Sequence, residues 1–229
     1  MNRNRNIIRA LLVIVAWQIL MFSVVPLISG AGQYRYVMGQ YSSNNFGVYG
    51  KTRVYNPTVR DLSRGHVVES QHVWFDSNNW YEVSWIKGLD GKGNVWGVPT
   101  FFIAWKINGV YDRKAGSAPG IGTDHYHFVM NKFASGLPTY VWRAYIDDGT
   151  EQYKTMVFNQ ANYCVAQSEV GDLNQIFTST LNGYHWELEY GSSYMSYFVW
   201  YNWTGTTWFS ESPYYFRGHN ATWFTSGGP

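Results

Sequence analysis

The stretch Trp80–Ile86 reads "WYEVSWI". Aromatic and β-branched residues favour an extended strand, and strand side chains alternate between two faces. One face carries Tyr81, Val83 and Trp85 and reads as packed core. The other carries Trp80, Glu82, Ser84 and Ile86. Large apolar residues flank Glu82 on its own face, so that face reads as half buried or more. A carboxylate in such a place must be paired, solvated by a cleft, or used in chemistry.

Similar runs extend in both directions. Strands are predicted near 47–56, 67–75, 79–87, 100–107, 125–131, 139–146, 153–158, 162–170, 183–190 and 194–202, with one or two more to the end. Between them stand "DSNN", "DGKGN", "NG" and "DDG", which are turn sequences. Residues 112–123, "DRKAGSAPGIGT", read as a mobile surface loop. No helical period persists after residue 32. Many short strands at this spacing predict an all-β sandwich or barrel.

The N-terminus differs in kind. Arg3, Arg5 and Arg9 precede an apolar run from Ala10 to Val25, and Ser29 and Ala31 occupy the −3 and −1 positions of a cleavage site after Ala31. This is the layout of a secretory signal peptide, residues 1–31, with an uncleaved membrane anchor as the alternative. Residues 32–46 read as a short lead-in and 47–229 as one domain. The leader holds three of the 17 basic residues and none of the 15 acidic ones, so the remainder has a formal charge of −1. No basic patch is left to argue for nucleic acid. The single cysteine, Cys164, excludes an intrachain disulfide and reads as a small packing residue. The expectation is a secreted or surface-anchored monomer that relies on its core. Asn202 and Asn220 begin glycosylation sequons.

Face assignments select the candidate residues. On 163–169 one face carries Tyr163, Val165, Gln167 and Glu169, and the other Cys164, Ala166 and Ser168. Glu169, like Glu82, shares its face with apolar neighbours. In "ESQHVWF" Gln71 shares a face with Glu69 and Val73, opposite His72 and Trp74. Glu187 and Glu189 face together, with Trp186, Leu188 and Tyr190 opposite, the pattern of an ordinary solvated face. His125 and His127 have metal-ligand spacing, but no third ligand is evident, so neither metal nor cofactor is expected. The sequence has no nucleophile-elbow, zincin or phosphate-loop motif.

Several segments together resemble the neprosin family of glutamic peptidases. "YGKTRVYNPTV" (49–59) is similar to that family's opening strand, and "SQHVWF" (70–75) to its Ser-Gln-Ile-Trp segment. "WYEVSWI" resembles its Ile-Glu-Ala-Gly-Trp strand, "FFIAWKINGVY" (101–111) its Phe-Thr-Tyr-Trp strand, and "QSEV" (167–170) its late Gly-Gly-Glu-Val. Order and spacing agree across about residues 47–190. Ser84 stands where the family strand has glycine, "RKAGSAPG" (113–120) lacks the family's cysteine, and 32–46 is too short for an inhibitory domain. The resemblance implies an antiparallel two-sheet sandwich of the concanavalin or jelly-roll type. It also implies catalytic glutamates at Glu82 and Glu169 and a polypeptide substrate, and a pair of carboxylates that divides acid and base roles should favour acidic conditions. Gln71 and Gln167 become candidates for orienting water or polarising the carbonyl, and Trp80 for lining the cleft. Two other readings fit the aromatic-rich strands. One is a secreted module that binds glycan or peptide without catalysis, and the other is a two-carboxylate glycoside hydrolase.

Overall fold

The computed structural model describes residues 33–136, 138–192 and 199–229; the expected leader and part of the strand expected at 194–202 lie outside them. All regular structure among the described residues is antiparallel β-sheet, in two layers. One sheet has seven strands, in the order β13 (Thr207–Ser210), β1 (Gln33–Tyr41), β10 (Tyr163–Asp172), β3 (Gly65–Asp76), β4 (Asn79–Leu89), β5 (Val95–Ile107) and β6 (Val110–Ala115). The other has eight. Its order is β14 (Tyr215–Asn220), β15 (Trp223–Gly227), β11 (Tyr184–Gly191), β2 (Gly47–Arg53), β7 (Asp124–Gly136), β8 (Thr139–Ile146) and β9 (Glu151–Met156), with β12 (Trp200–Asn202) paired to β11.

The turns follow from their sequences. Asn108 and Gly109 both have positive φ, 53° and 80°, and close the β5–β6 hairpin in two residues, as an Asn-Gly pair does. Asp90 organises the β4–β5 connection: its carboxylate accepts from the backbone N–H of Lys92 and Asn94 and from Trp96 Nε1.

Tyr81, Val83 and Trp85 point between the sheets, as alternation requires, and meet Trp142, Ile146 and Leu188 among others in the main core. Cys164 is fully buried there. The outward face of the seven-stranded sheet also carries buried side chains. Val68, Trp74, Trp80, Ile86, Phe102, Ala104 and Val165 form a second buried cluster on it. This explains why β4 is apolar on both sides.

Three segments depart from the sequence reading. Residues 33–41, expected as a lead-in, form β1, which inserts between β10 and β13. The expected loop at 112–123 starts within β6. In β11 a bulge falls between Trp186 and Glu189, with Glu187 at φ 52°. The extra residue shifts alternation, so His185 and Leu188 are buried while Trp186 stacks beside Tyr184 at 4.7 Å with Arg53 over both rings. Trp186 is therefore not on the inward face expected for it.

Candidate functional site

Residues directly opposite one another across adjacent strands point to the same side of a sheet. The registers of β10, β3 and β4 give three successive rows on the outward face. Glu169 faces Val68, which faces Ile86. Gln167 faces Ser70, which faces Ser84. Val165 faces His72, which faces Glu82. Glu82 and Glu169 thus stand on one face, on the two strands that flank β3. Between them lies a row whose β3 and β4 members are small serines. Tyr36 of β1 is opposite Glu169, and Trp80 lies one row beyond Glu82.

The two carboxylates have different surroundings. Burial raises Glu82 from 4.5 to about 8, and the charge of Glu169 adds to the rise. Its neighbour His72 cannot offset this as a cation, because burial alone lowers that imidazole to about 3. The hydroxyls of Ser70 and Ser84 pull Glu82 slightly the other way. Neither serine oxygen reaches good hydrogen-bonding geometry with any group of the chain, and both are buried. Trp80 Nε1 is likewise buried without a partner. The Arg113 guanidinium is committed to Asp90 at 2.6 Å.

Glu169 instead has a nitrogen partner at each oxygen. Its Oε1 is 2.8 Å from His66 Nε2, and its Oε2 accepts from Gln167 Nε2 at 3.1 Å. The His66 ring lies directly over Gly171, where a Cβ would fall 2.4 Å from the imidazole Cε1. Glycine at 171 is thus what lets the ring cross β10. The phenol of Tyr36 is driven up first by burial and then by the charge of Glu169, and that of Tyr111 by burial and then Glu82, so both remain protonated.

The predicted residues do not all converge. Glu82, Glu169, Gln167 and Trp80 share the face. Gln71 is on the inward face, 3.2 Å from His185 Nδ1, and is separated from the glutamates by the sheet itself. There it belongs to a buried network centred on Glu69, which accepts from Tyr55 Oη at 2.8 Å, Ser168 Oγ at 2.5 Å and His185 Nε2 at 2.7 Å. Ser226 donates in turn to Ser168. Gly183 abuts this network so closely that a Cβ would sit 2.3 Å from both Glu69 Oε2 and Ser168 Oγ. His66 was not found by sequence reasoning. It stands at the start of a strand 103 residues from its partner, and only the pairing register brings the two together.

The histidine pair is used elsewhere: His125 Nδ1 bonds Asp147 at 2.6 Å, and His127 Nε2 bonds Thr52 at 2.7 Å. Among the described residues no group of three or more His, Cys, Asp or Glu could hold a metal ion. Cys164 Sγ points to the Gly47 carbonyl at 3.3 Å, and burial raises its thiol well above the ordinary value. A cavity of about 640 Å³ opens at the His66 end of the sheet, lined by residues 59–63 with Val95, Asp172, Asn174 and Ile176.

No family model matches the sequence, and no curated protein matches it. Solved structures do match in fold. Scytalidoglutamic peptidase bound to a peptide-based transition-state analogue superposes with a TM-score of 0.55 at 9% identity, over 86% of this chain and 100% of that one. SCP-B, a member of the eqolisin family of peptidases, in complex with the tripeptide Ala-Ile-His, gives 0.52 at 8% identity over the same 86% and 100%. At these identities the likeness establishes a common fold.

Proposed function

We propose that this protein is a glutamic peptidase that hydrolyses peptide bonds across the gap between Glu82 and Glu169. One observation carries the reading. Two buried glutamates share a sheet face on either side of a row of small hydroxyl residues, and their surroundings favour opposite protonation states. The fold neighbours act on peptide bonds, as their names state, and agree with it.

The division of labour follows from the environments. Glu82 holds its proton below about 8 and serves as the acid. Glu169, which accepts from Gln167 Nε2 and meets His66 Nε2, is the carboxylate that serves as the base. Water seated over Gln167, Ser70 and Ser84 gives a proton to Glu169 as its oxygen bonds to the scissile carbonyl carbon. Glu82 passes its proton to the carbonyl oxygen, yielding a neutral tetrahedral diol. Collapse breaks the C–N bond. The nitrogen takes the proton from Glu169, and a diol hydroxyl returns one to Glu82, so both carboxylates regain their starting states. The free hydroxyls of Ser70 and Ser84 supply further hydrogen bonds to the diol. Trp80 lines the cleft. Acid conditions are not essential to this scheme, because Glu82 remains an acid through neutrality.

Incubating the folded protein with an unfolded polypeptide and reading fragments by mass spectrometry tests the proposal. Discrete internal cleavage, lost in Glu169→Gln, is the expected outcome. Absence of cleavage between pH 3 and 8 overturns it.

A second reading rests on the opposite sheet. Tyr49, Tyr126 and Tyr145 stack in succession at 6.3 and 6.0 Å on its outer face, with Arg143 over Tyr145. Such a ladder suits a secreted module that binds sugar rings. Glycan binding that persists in Glu169→Gln, without cleavage by the wild type, would favour it.

A further inference from the structure

We propose that His66 is a positioning residue: it shares one proton with Glu169, holds that carboxylate ionised, and so extends hydrolysis into acid. This deepens the peptidase reading and rests on it for its kinetic consequence.

The argument is one of donors and acceptors. His66 Nδ1 lies 2.9 Å from the carbonyl oxygen of Leu89, which can only accept, so Nδ1 carries a hydrogen. A neutral imidazole then has a bare Nε2. That lone pair would face Glu169 Oε1 at 2.8 Å, which is repulsive if the carboxylate is also bare. The contact therefore requires one more proton, on His66 or on Glu169. Gln167 Nε2 donates to the other carboxylate oxygen, which favours the arrangement with the proton on His66 and the charge on Glu169. The site then holds three coupled groups: an acid, a base, and an imidazolium that keeps the base ionised.

The other groups facing this pair do not supply a competing cation. On β1, Tyr34 lies 5.8 Å from the His66 ring and Tyr36 is opposite Glu169; burial first and Glu169 second keep both phenols protonated. Glu211 accepts from the Tyr36 backbone N–H. Glu82 on β4 and Tyr111 on β6 couple to Glu169 through charge alone. Asp90 is neutralised by Arg113, and Asp172 lies beside Gly65 at the strand end. Among the described residues, His66 is the one cation-forming side chain paired with Glu169.

Two substitutions separate a proton-holding role from a structural one. His66→Gln keeps a donor but cannot carry the extra charge. Gly171→Ala keeps the histidine but pushes its ring off the strand. An opposite charge at hydrogen-bonding range favours the ionised form of a carboxylate. In both variants the acidic limb of the kcat/KM profile should move to higher pH, with about tenfold lower kcat/KM at pH 4 and little change at pH 7. Profiles that superimpose on wild type after scaling would overturn the proposal. Nitrogen-15 shifts of labelled His66 give a readout independent of turnover. Both ring nitrogens should stay protonated to higher pH in the wild type than in Glu169→Gln. Titration at the same pH in both proteins overturns the shared proton, whether or not the protein cleaves. If cleavage is absent but the shifts differ as expected, the peptidase reading fails and the proton sharing stands.

Discussion

Replacing Glu82 by Gln should stabilise the folded protein at neutral pH while leaving it unchanged in acid. In the folded state Glu82 is buried and gives up its proton only near 8; in the unfolded chain it does so near 4.5. Below 4.5 both states are protonated and the residue contributes no pH dependence. Between 4.5 and 8 the unfolded chain binds fewer protons than the native protein, so stability falls as pH rises. Each pH unit in that window is worth about 1.4 kcal/mol, so by pH 7 the loss reaches about 3 kcal/mol. Glutamine has the same shape and never ionises. The variant should therefore match wild type within about 1 kcal/mol at pH 4, and exceed it by about 2–3 kcal/mol at pH 7, after allowance for an imperfectly paired amide. Urea unfolding followed by tryptophan fluorescence at the two pH values measures this directly. Comparing the two proteins cancels the titrating groups that are not coupled to Glu82. Parallel pH dependences would show that Glu82 is not held protonated, and the assignment of acid and base would fail with it.

The inter-sheet network should be far less tolerant than the outward face. Glu69→Gln or His185→Phe removes one partner of a fully buried, hydrogen-bonded carboxylate–imidazole pair and should cost about 3–5 kcal/mol in urea unfolding. Gly183→Ala drives a methyl into Glu69 and Ser168 and should lose about 3 kcal/mol, whereas Gly97→Ala, with nothing within 4 Å of the added carbon, should fall within about 0.5 kcal/mol of wild type. Trp80→Phe deletes a buried N–H that has no partner in the chain. It should preserve stability within about 1 kcal/mol yet raise KM several-fold if that N–H binds substrate, as thermal unfolding and steady-state kinetics would show.

The strand pattern was legible because alternation and turn chemistry are local. Tyr81, Val83 and Trp85 could be sent inward, and Glu82 outward, from seven residues. Glu169 followed by the same parity. Parity gives a face within one strand but does not register one strand against another. Gln71 was grouped with Glu69 and Val73, yet only the pairing of Gln71 with Val83 fixes that group as inward. The bulge at Glu187 depends on one non-glycine residue adopting positive φ, for which "HWELEYG" has no marker. Strand β1 was missed because its burial does not alternate cleanly: Tyr36 and Val37 are both buried, on opposite faces of an interior strand. His66 was hidden for the same reason as the network around Glu69. Each is completed by residues about 100 positions away, and charge partners across such distances leave no periodicity to read.

The most direct test of the central claim is kcat/KM for hydrolysis of an unfolded polypeptide between pH 3 and 9, for wild type, Glu82→Gln and Glu169→Gln. The account predicts a wild-type profile that stays high through neutrality and falls near pH 8, where Glu82 loses its proton. It predicts losses of at least about a thousandfold in each variant with the fold intact. Activity within about tenfold of wild type in either folded variant would contradict a mechanism built on these two glutamates.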